Sequence, residues 1–466
     1  MIGVAFLALL LALVVAMTVY HRFKPWSHHV HGPDRAYRVP VQRITFLKNL
    51  TWYEEGVRHT EQDIVTETIG LIEQARHRLI LDIFLFNDVT PKQESFLPTV
   101  DLVTNALCQR KQALPGISGL FVTDPINTFY GTSTCRPLHA LQGCGYEVVI
   151  TNIDRLRDNN LLYAGLWRVF LGWLETGRRG ILPNPIEPER HTTLRAVLKA
   201  LNTRGNHRKV IIGDSSVIIT SSNYDNKSSY FGDVGVRIDD PAVADYFAFT
   251  EYEVARMSGS DGEQASQTPE APGIGDALVT PLLGQRIRKA LATDIESTGN
   301  GDSIQVGMLF LSDRGIIRRL EHAAKRGVKV CVVLDNNTFS FGKKKIGIPN
   351  RFLAYELFRR GVSVRWYNTV KEEFHTKLVY IRKQQRGVCH CGSANLTRRS
   401  LLGSNLETNV RIAAGCDSGL MQGVEAYLER ITRAPYSVAY DGERPRPFLL
   451  PYWFARFQER TGTATF

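Results

Sequence analysis

The sequence predicts an α/β protein of two similar halves, each a sheet sandwiched between helices, behind one N-terminal apolar helix. Three observations predict it. Short apolar strands alternate with segments of helical periodicity through most of the 466 residues. A polar constellation in the first half returns in the second, its histidines 168 positions apart and its asparagines 172 apart. Residues 2–20 form an uncharged apolar run.

That run, Ile2 to Tyr20, is the first element. About 20 apolar residues span a bilayer as a helix. No basic segment precedes it, and no Ala-x-Ala site precedes the flank His21-Arg22-Phe23-Lys24, so residues 1–20 read as a retained single-pass anchor rather than a cleaved signal. The basic flank on its C-terminal side places the body in the cytoplasm. Residues 21–44, rich in His, Pro and Arg, read as a tether.

Residues 45–256 form the first half. Glu61 to Arg76 has helical spacing of Ile64, Thr68, Ile69 and Ile72, and Leu79 to Phe86 is a buried-strand run. A helix around Val100 to Gln112 leads to the strand Gly119 to Thr123, and Leu138 to Gly143 leads to the strand Tyr146 to Asn152. Residues 154–201 are an insertion. Its core, Leu161 to Leu174 with Trp167 and Trp173 beside Arg178 and Arg179, fits either an interfacial helix at lipid headgroups or a core helix closing a cleft. Residues 257–277, nearly devoid of apolar side chains over most of their length, read as a flexible linker.

The second half, residues 278–433, repeats the alternation. A helix (Leu282 to Thr293) precedes the strand Ile304 to Leu311, a helix (Gly315 to Lys325) precedes Val328 to Leu334, and a third (Arg351 to Arg360) precedes Val362 to Tyr367. A strand after His375, the segment at Gly392, the strand Glu407 to Ile412 and a closing helix from Leu420 to Ile431 complete it. Residues 434–466 read as a tail.

The net charge of +11 favours an anionic partner, whether phospholipid, phosphorylated substrate or nucleic acid. Seven cysteines, without a Cys-x-x-Cys pair, form no disulfide framework, and reduced thiols fit a cytosol-facing body. Cys389-His390-Cys391 has no second pair at zinc spacing and reads as strand.

The chemistry gathers in two stretches. Asn206-His207-Arg208-Lys209 continues into Val210-Ile211-Ile212-Gly213-Asp214, and Phe374-His375-Thr376-Lys377 continues into Leu378-Val379-Tyr380-Ile381. Residues i and i+2 of a strand share a face, so each His-x-Lys pair presents an imidazole beside an ammonium. A nucleophile beside a fixed positive charge suits attack on a phosphodiester anion. Thr220-Ser221-Ser222-Asn223 follows the first pair and Gly392-Ser393-Ala394-Asn395 the second; Asp233 and Glu407 come next in matching settings.

These motifs, from Thr45 to Arg433, resemble the phospholipase D superfamily, whose signature is His-x-Lys-x4-Asp followed by Gly-Ser-x-Asn. The resemblance implies two phospholipase D-like halves with one site at their interface and displacement through a phosphohistidine. His207 would be the nucleophile and His375 the general acid, then base. Lys209, Lys377, Asn223 and Asn395 would hold the phosphoryl oxygens, with no metal or cofactor required. Asp233 and Glu407 would orient the imidazoles, Glu407 being the partner expected for His375. Asp214 is the motif carboxylate; its counterpart in the second half is Arg382. With an N-terminal membrane segment, the arrangement looks like bacterial cardiolipin synthases and related phospholipases D, which transfer a phosphatidyl group to water or a lipid alcohol. A membrane-tethered nuclease and a non-catalytic lipid-binding scaffold are the alternatives.

Overall fold

A computed structural model describes residues 1–26, 28–90, 96–174, 177, 180–185, 187, 189–262, 273–340, 343–344, 348–446 and 449–464. Two large sheets carry the fold. The first contains β2 (Ile44–Glu54), β3 (Val57–Gln62), β4 (Arg78–Ile83), β5 (Ser118–Thr123), β6 (Glu147–Ile150), β7 (Lys209–Ile212), β8 (Val217–Thr220) and β9 (Asp233–Ile238). The second contains β1 (Tyr37–Val39), β10 (Ala277–Leu283), β11 (Ser303–Met308), β12 (Lys329–Leu334), β13 (Ser363–Tyr367), β14 (Lys377–Lys383), β15 (Arg386–Gly392), β16 (Thr408–Gly415) and β17 (Ser437–Ala439).

The first sheet runs β3-β2-β9-β8-β7-β4-β5-β6 and the second β1-β10-β16-β15-β14-β11-β12-β13-β17. Seven strands match in order and in sense: antiparallel through the His-x-Lys strands, then parallel over the last two pairings. β7 and β8, Lys-Val-Ile-Ile and Val-Ile-Ile-Thr, are buried throughout. Such β-branched runs fit strands covered on both faces.

The covering differs by face. Ile64, Leu71, Val100 and Val103 of the helices Asp63–Gln74 and Thr99–Ala113 close the outside of the first sheet. Ile287, Leu291, Ile316 and Leu320 of the helices Gln285–Glu296 and Arg314–Lys325 do so for the second. Between the sheets a third cluster joins Ile219 and Val234 to Leu378, Cys391 and Val410, with the helices Pro241–Met257 and Gly419–Ile431 packed into it. The halves therefore share a core.

Several segments depart from expectation. The tether contains β1, which pairs with β10 at the edge of the second sheet. Leu282 and Leu283 end a strand, and the helix there begins at Gln285. Pro241–Met257 is a 17-residue helix, capped by the Asp240 side chain on the Val243 N–H with Pro at its first position. Residues 434–466 hold β17 and a helix, Leu449–Thr461. Of the expected linker, residues 263–272 lie outside the described residues, as do Arg178 and Arg179.

The helix Ile2–Phe23 is long and apolar enough to cross a membrane, and its apolar side chains are exposed. It packs on the insertion, where Ala164–Leu166 continues into the wider turn Trp167–Leu171. The insertion has two faces: Ala164 and Trp167 are buried, whereas Leu162, Leu166, Phe170 and Trp173 are exposed. The expectation of reduced thiols is corrected at one pair. Cys108 and Cys144 form a disulfide, because the helix Thr99–Ala113 lies against the helix Arg136–Gly143. Spacing alone does not reveal such a contact.

Candidate active site

The strands begin at the lysines, not at the histidines. Lys209 opens β7 and Lys377 opens β14, both buried. Just ahead of them the backbone leaves its own sheet and bonds across to the other half. The His207 N–H donates to Leu406 O at 2.9 Å, and the Gly232 N–H donates to Glu373 O at 3.0 Å. Each His-x-Lys segment thus lies beside the acidic turn of the opposite half.

This crossing decides how the imidazoles are oriented. His207 Nδ1 lies 2.9 Å from Glu407 Oε2, and His375 Nδ1 lies 2.8 Å from Asp233 Oδ1. Glu407 therefore serves His207, not the expected His375: each half's carboxylate orients the other half's histidine. The carboxylates are themselves held. Ser393 Oγ donates to Glu407 Oε2 and Ser221 Oγ to Asp233 Oδ1, both at 2.5 Å, while Asn405 Nδ2 donates to Glu407 Oε1 at 3.2 Å. The two serines lie inside the repeated polar segments, so their repetition was the available signal. Asn405 has no counterpart that would have marked it.

Bonding through Nδ1 leaves Nε2 as the nitrogen each ring offers to its surroundings. Both rings line one cleft, of about 230 Å³, together with Asn223 and Asn395 from the two halves. The carboxamide oxygens of both asparagines are buried without a partner. Because amide O and N are assigned rather than seen, each side chain can equally present its NH₂ donor to a bound anion. Lys209 Nζ donates to His207 O at 3.0 Å and Lys377 Nζ to His375 O at 2.7 Å, so each ammonium stays beside its own histidine.

Electrostatics follow from burial. Desolvation, reinforced by the lysines and opposed by the carboxylates, pulls His207 down to about 3 and His375 to about 4. Both imidazoles are neutral at neutral pH. Desolvation also pulls Lys209 down to about 7 and Lys377 to about 8. Burial alone would raise Glu407 and Asp233, but the imidazoles, serines and lysines hold both below the usual carboxylate range.

Asp214 lies elsewhere. Its carboxylate accepts from the backbone N–H groups of Arg76, His77 and Arg78 at 2.7–2.9 Å, fixing the entry to β4 behind the sheet. It is a structural anchor and does not line the cleft. Arg382, at the matching place in the second half, is exposed and pairs with Glu425 at 3.1 Å. Between the histidine and lysine of the first motif, Arg208 points the opposite way and pairs with the buried Glu251 at 2.9 Å, so β7 is tied to the helix Pro241–Met257. Asp124, Tyr130, Arg204 and Arg399 also line the cleft, and the sequence reading missed them. None belongs to the repeated pattern.

Residues 291–432 match the family model described as "Cardiolipin synthase, PLD-like domain", a span that includes His375, Lys377, Asn395 and Glu407. The second half therefore carries a phospholipase D-like domain. Among solved structures, phosphatidylserine synthase from Haemophilus influenzae Rd KW20 is similar over 92% of this chain and 95% of its own, with a TM-score of 0.57 and 11% identity. At that identity the likeness is one of fold. Polyphosphate kinase from Porphyromonas gingivalis matches 90% of this chain and 53% of its own (TM-score 0.48, 12% identity). A phospholipase D family member, Nuc, from Salmonella typhimurium matches 35% of this chain and 98% of its own (TM-score 0.27, 20% identity). No curated protein matches by sequence. The two-motif pattern in this chain departs from the superfamily's signature at Arg382, in place of Asp, and at Thr220, in place of Gly.

Proposed function

We propose that this chain is a membrane-anchored phosphatidyltransferase or phospholipase that cleaves a phospholipid phosphodiester through a phosphohistidine. The observation that carries the reading is the pair of neutral imidazoles on one cleft, each held at Nδ1 by a carboxylate of the opposite half. His207 Nε2 attacks phosphorus as the bond to the leaving alcohol breaks, and His375 gives that oxygen its proton. His375 then removes a proton from water or a lipid alcohol, whose oxygen attacks phosphorus and expels His207. Lys209, Lys377, Asn223 and Asn395 hold the non-bridging oxygens. A phosphodiester anion between the rings offsets the lysine charges that depress His375, and so favours the protonated acid the first step needs.

The lipid assignment is supported by the cardiolipin synthase-like match over the second half, by the N-terminal apolar helix and by the net charge of +11. The helix reads as a retained anchor. Its side of the membrane is a separate matter. The flank that suggested a cytoplasmic body is folded into that body: Arg22 donates to Asp158 O and Ser404 Oγ, and Lys24 to Asp154 O. The Cys108–Cys144 disulfide favours an oxidising compartment.

The test is trapping, by denaturation at alkaline pH, of an acid-labile phosphoenzyme with a phospholipid radiolabelled at phosphorus. Label on wild-type protein that vanishes in His207→Ala is expected. Label that vanishes in His375→Ala but persists in His207→Ala would reverse the two roles, and turnover in both variants would end the catalytic reading.

A further inference from the structure

The C-terminal helix Leu449–Thr461 is amphipathic the wrong way round for a soluble protein. Residues 452, 455, 456 and 459 fall on one face by helical spacing. That face meets the body: Glu459 Oε1 accepts from Ser312 Oγ at 2.6 Å and from the Arg398 N–H at 2.7 Å, Tyr452 packs edge-on to Phe352, and Ala455 is buried. The opposite face carries Leu450, Trp453, Phe454 and Phe457. All four are exposed, Leu450 to 84% and Trp453 to 62%. A polar face turned inward and an unbroken apolar stripe turned outward imply a partner that supplies apolar contact.

The end of this helix shows which partner. Thr461 O accepts from the Leu161 N–H at 2.8 Å, and Gly462 O accepts from Asn159 Nδ2 at 3.0 Å and Thr203 Oγ1 at 3.2 Å. The same short segment holds the foot of the N-terminal helix, since the Asp158 N–H donates to His21 O at 3.1 Å. From this junction the insertion sends out its own exposed row: Leu162, Leu166, Phe170 and Trp173. Thr203 belongs to the wall of the cleft that holds both histidines. Two outward apolar faces, one on the insertion and one on the C-terminal helix, are therefore tied through residues 158–161 to the foot of a helix long and apolar enough to cross a bilayer, beside the cleft.

We infer that the C-terminal helix and the exposed face of the insertion form a lipid-facing collar that seats the mouth of the cleft on the bilayer surface. The occupant is the membrane, because residues 158–161 hold both the end of the stripe's helix and the foot of the N-terminal apolar helix. Leucines and aromatics at the acyl boundary, with the body above, are the arrangement of an interfacial helix. The consequence is access: a phospholipid headgroup reaches His207 and His375 without its chains crossing water. This rests on the proposed function for its meaning but not for its test.

The test uses the full chain in vesicles of phosphatidylethanolamine and phosphatidylglycerol, with the half-buried Cys331 and Cys416 replaced by Ser. Nitroxide labels go on Leu450→Cys and Phe454→Cys, and on Arg433→Cys as an exposed control. Oxygen should relax the labels at 450 and 454 several-fold more than a water-soluble nickel chelate does, with the reverse at 433. Nickel-accessible labels at 450 and 454 would overturn the collar. So would dipolar broadening between two copies in detergent, which would assign the stripe to a second chain. No turnover is read, so lipid-immersed labels on an inactive protein would refute the proposed function and leave the collar standing.

Discussion

At the scale of single residues, the crossed pairing separates the two carboxylates by function. Glu407→Gln removes the carboxylate charge that fixes the proposed nucleophile, so phosphoenzyme formation should fall with turnover, by about 10²-fold or more. Asp233→Asn disturbs the proposed acid instead. With an activated phosphodiester whose leaving group needs no proton, label should still form while turnover of a lipid collapses. Equal loss of label in both variants would show that the two carboxylates do not divide the work in this way. The lysines set the pH dependence. The phosphoryl-holding form is the charged one, and burial brings Lys209 to about 7 and Lys377 to about 8. In the free enzyme kcat/KM should therefore fall as pH rises through 7 to 8, while neutral His207 persists down to about 3. Arg stays charged throughout this range. The activity left in Lys209→Arg should carry an alkaline limb about one pH unit higher, set then by Lys377 at about 8; an unmoved limb would assign the titration to another group. Asp214 and Arg382 should behave as structure rather than chemistry. Asp214→Ala leaves three backbone N–H groups without their acceptor and should cost about 1–3 kcal/mol of unfolding free energy with kcat unchanged. Arg382→Ala, losing a half-exposed ion pair, should cost less than about 1 kcal/mol. Thermal unfolding beside steady-state turnover checks both.

At the scale of elements, periodicity was a good guide wherever an element buries one clean face. The helices Asp63–Gln74 and Arg314–Lys325 and the strands β5 and β12 lie within a few residues of the sequence reading. It failed where the pattern carried a different message. The helix Pro241–Met257 sits in the central core and buries side chains on more than one face, among them Thr250, Glu251 and Glu253, so no simple apolar stripe announced it. The Asp-Pro start was the legible signal. In the C-terminal helix the apolar residues face outward, and a stripe by itself does not say which way it points. The contact between the N-terminal helix and the insertion depends on Gly165. A Cβ there would lie 2.2 Å from Val14 O and 2.3 Å from Thr18 Oγ1, so only glycine permits this approach. Gly165→Val should separate the two helices and cost about 1–3 kcal/mol. Thermal unfolding of the Gly165→Val chain beside the parent reads that cost.

At the scale of the whole molecule, the disulfide gives the most direct handle on where the body resides. Cys108 and Cys144 are 36 residues apart, and closing a loop of that length stabilises the folded state by about 3–4 kcal/mol in the chain-entropy account. Protein taken from cells under acid quench, unfolded without reductant and alkylated with a thiol-reactive polymer, should gain five additions, matching the five free cysteines. Seven additions would return the body to a reducing compartment. Local sequence determined the two-half α/β architecture and the apolar helix, and it singled out His207, Asn223, His375 and Asn395, which the fold brings to one cleft, because strand and helix periods and repeated motifs are written within a few residues of one another. Only the tertiary structure decided which acid serves which histidine, that β1 of the supposed tether completes the far sheet, and that Asp214 anchors backbone outside the cleft. His207 and Glu407 are 200 positions apart, and His375 and Asp233 are 142 apart. Nothing in either stretch records its partner: the pairing is set by how the two sheets pack across their shared core, and that packing is a property of the assembled chain alone.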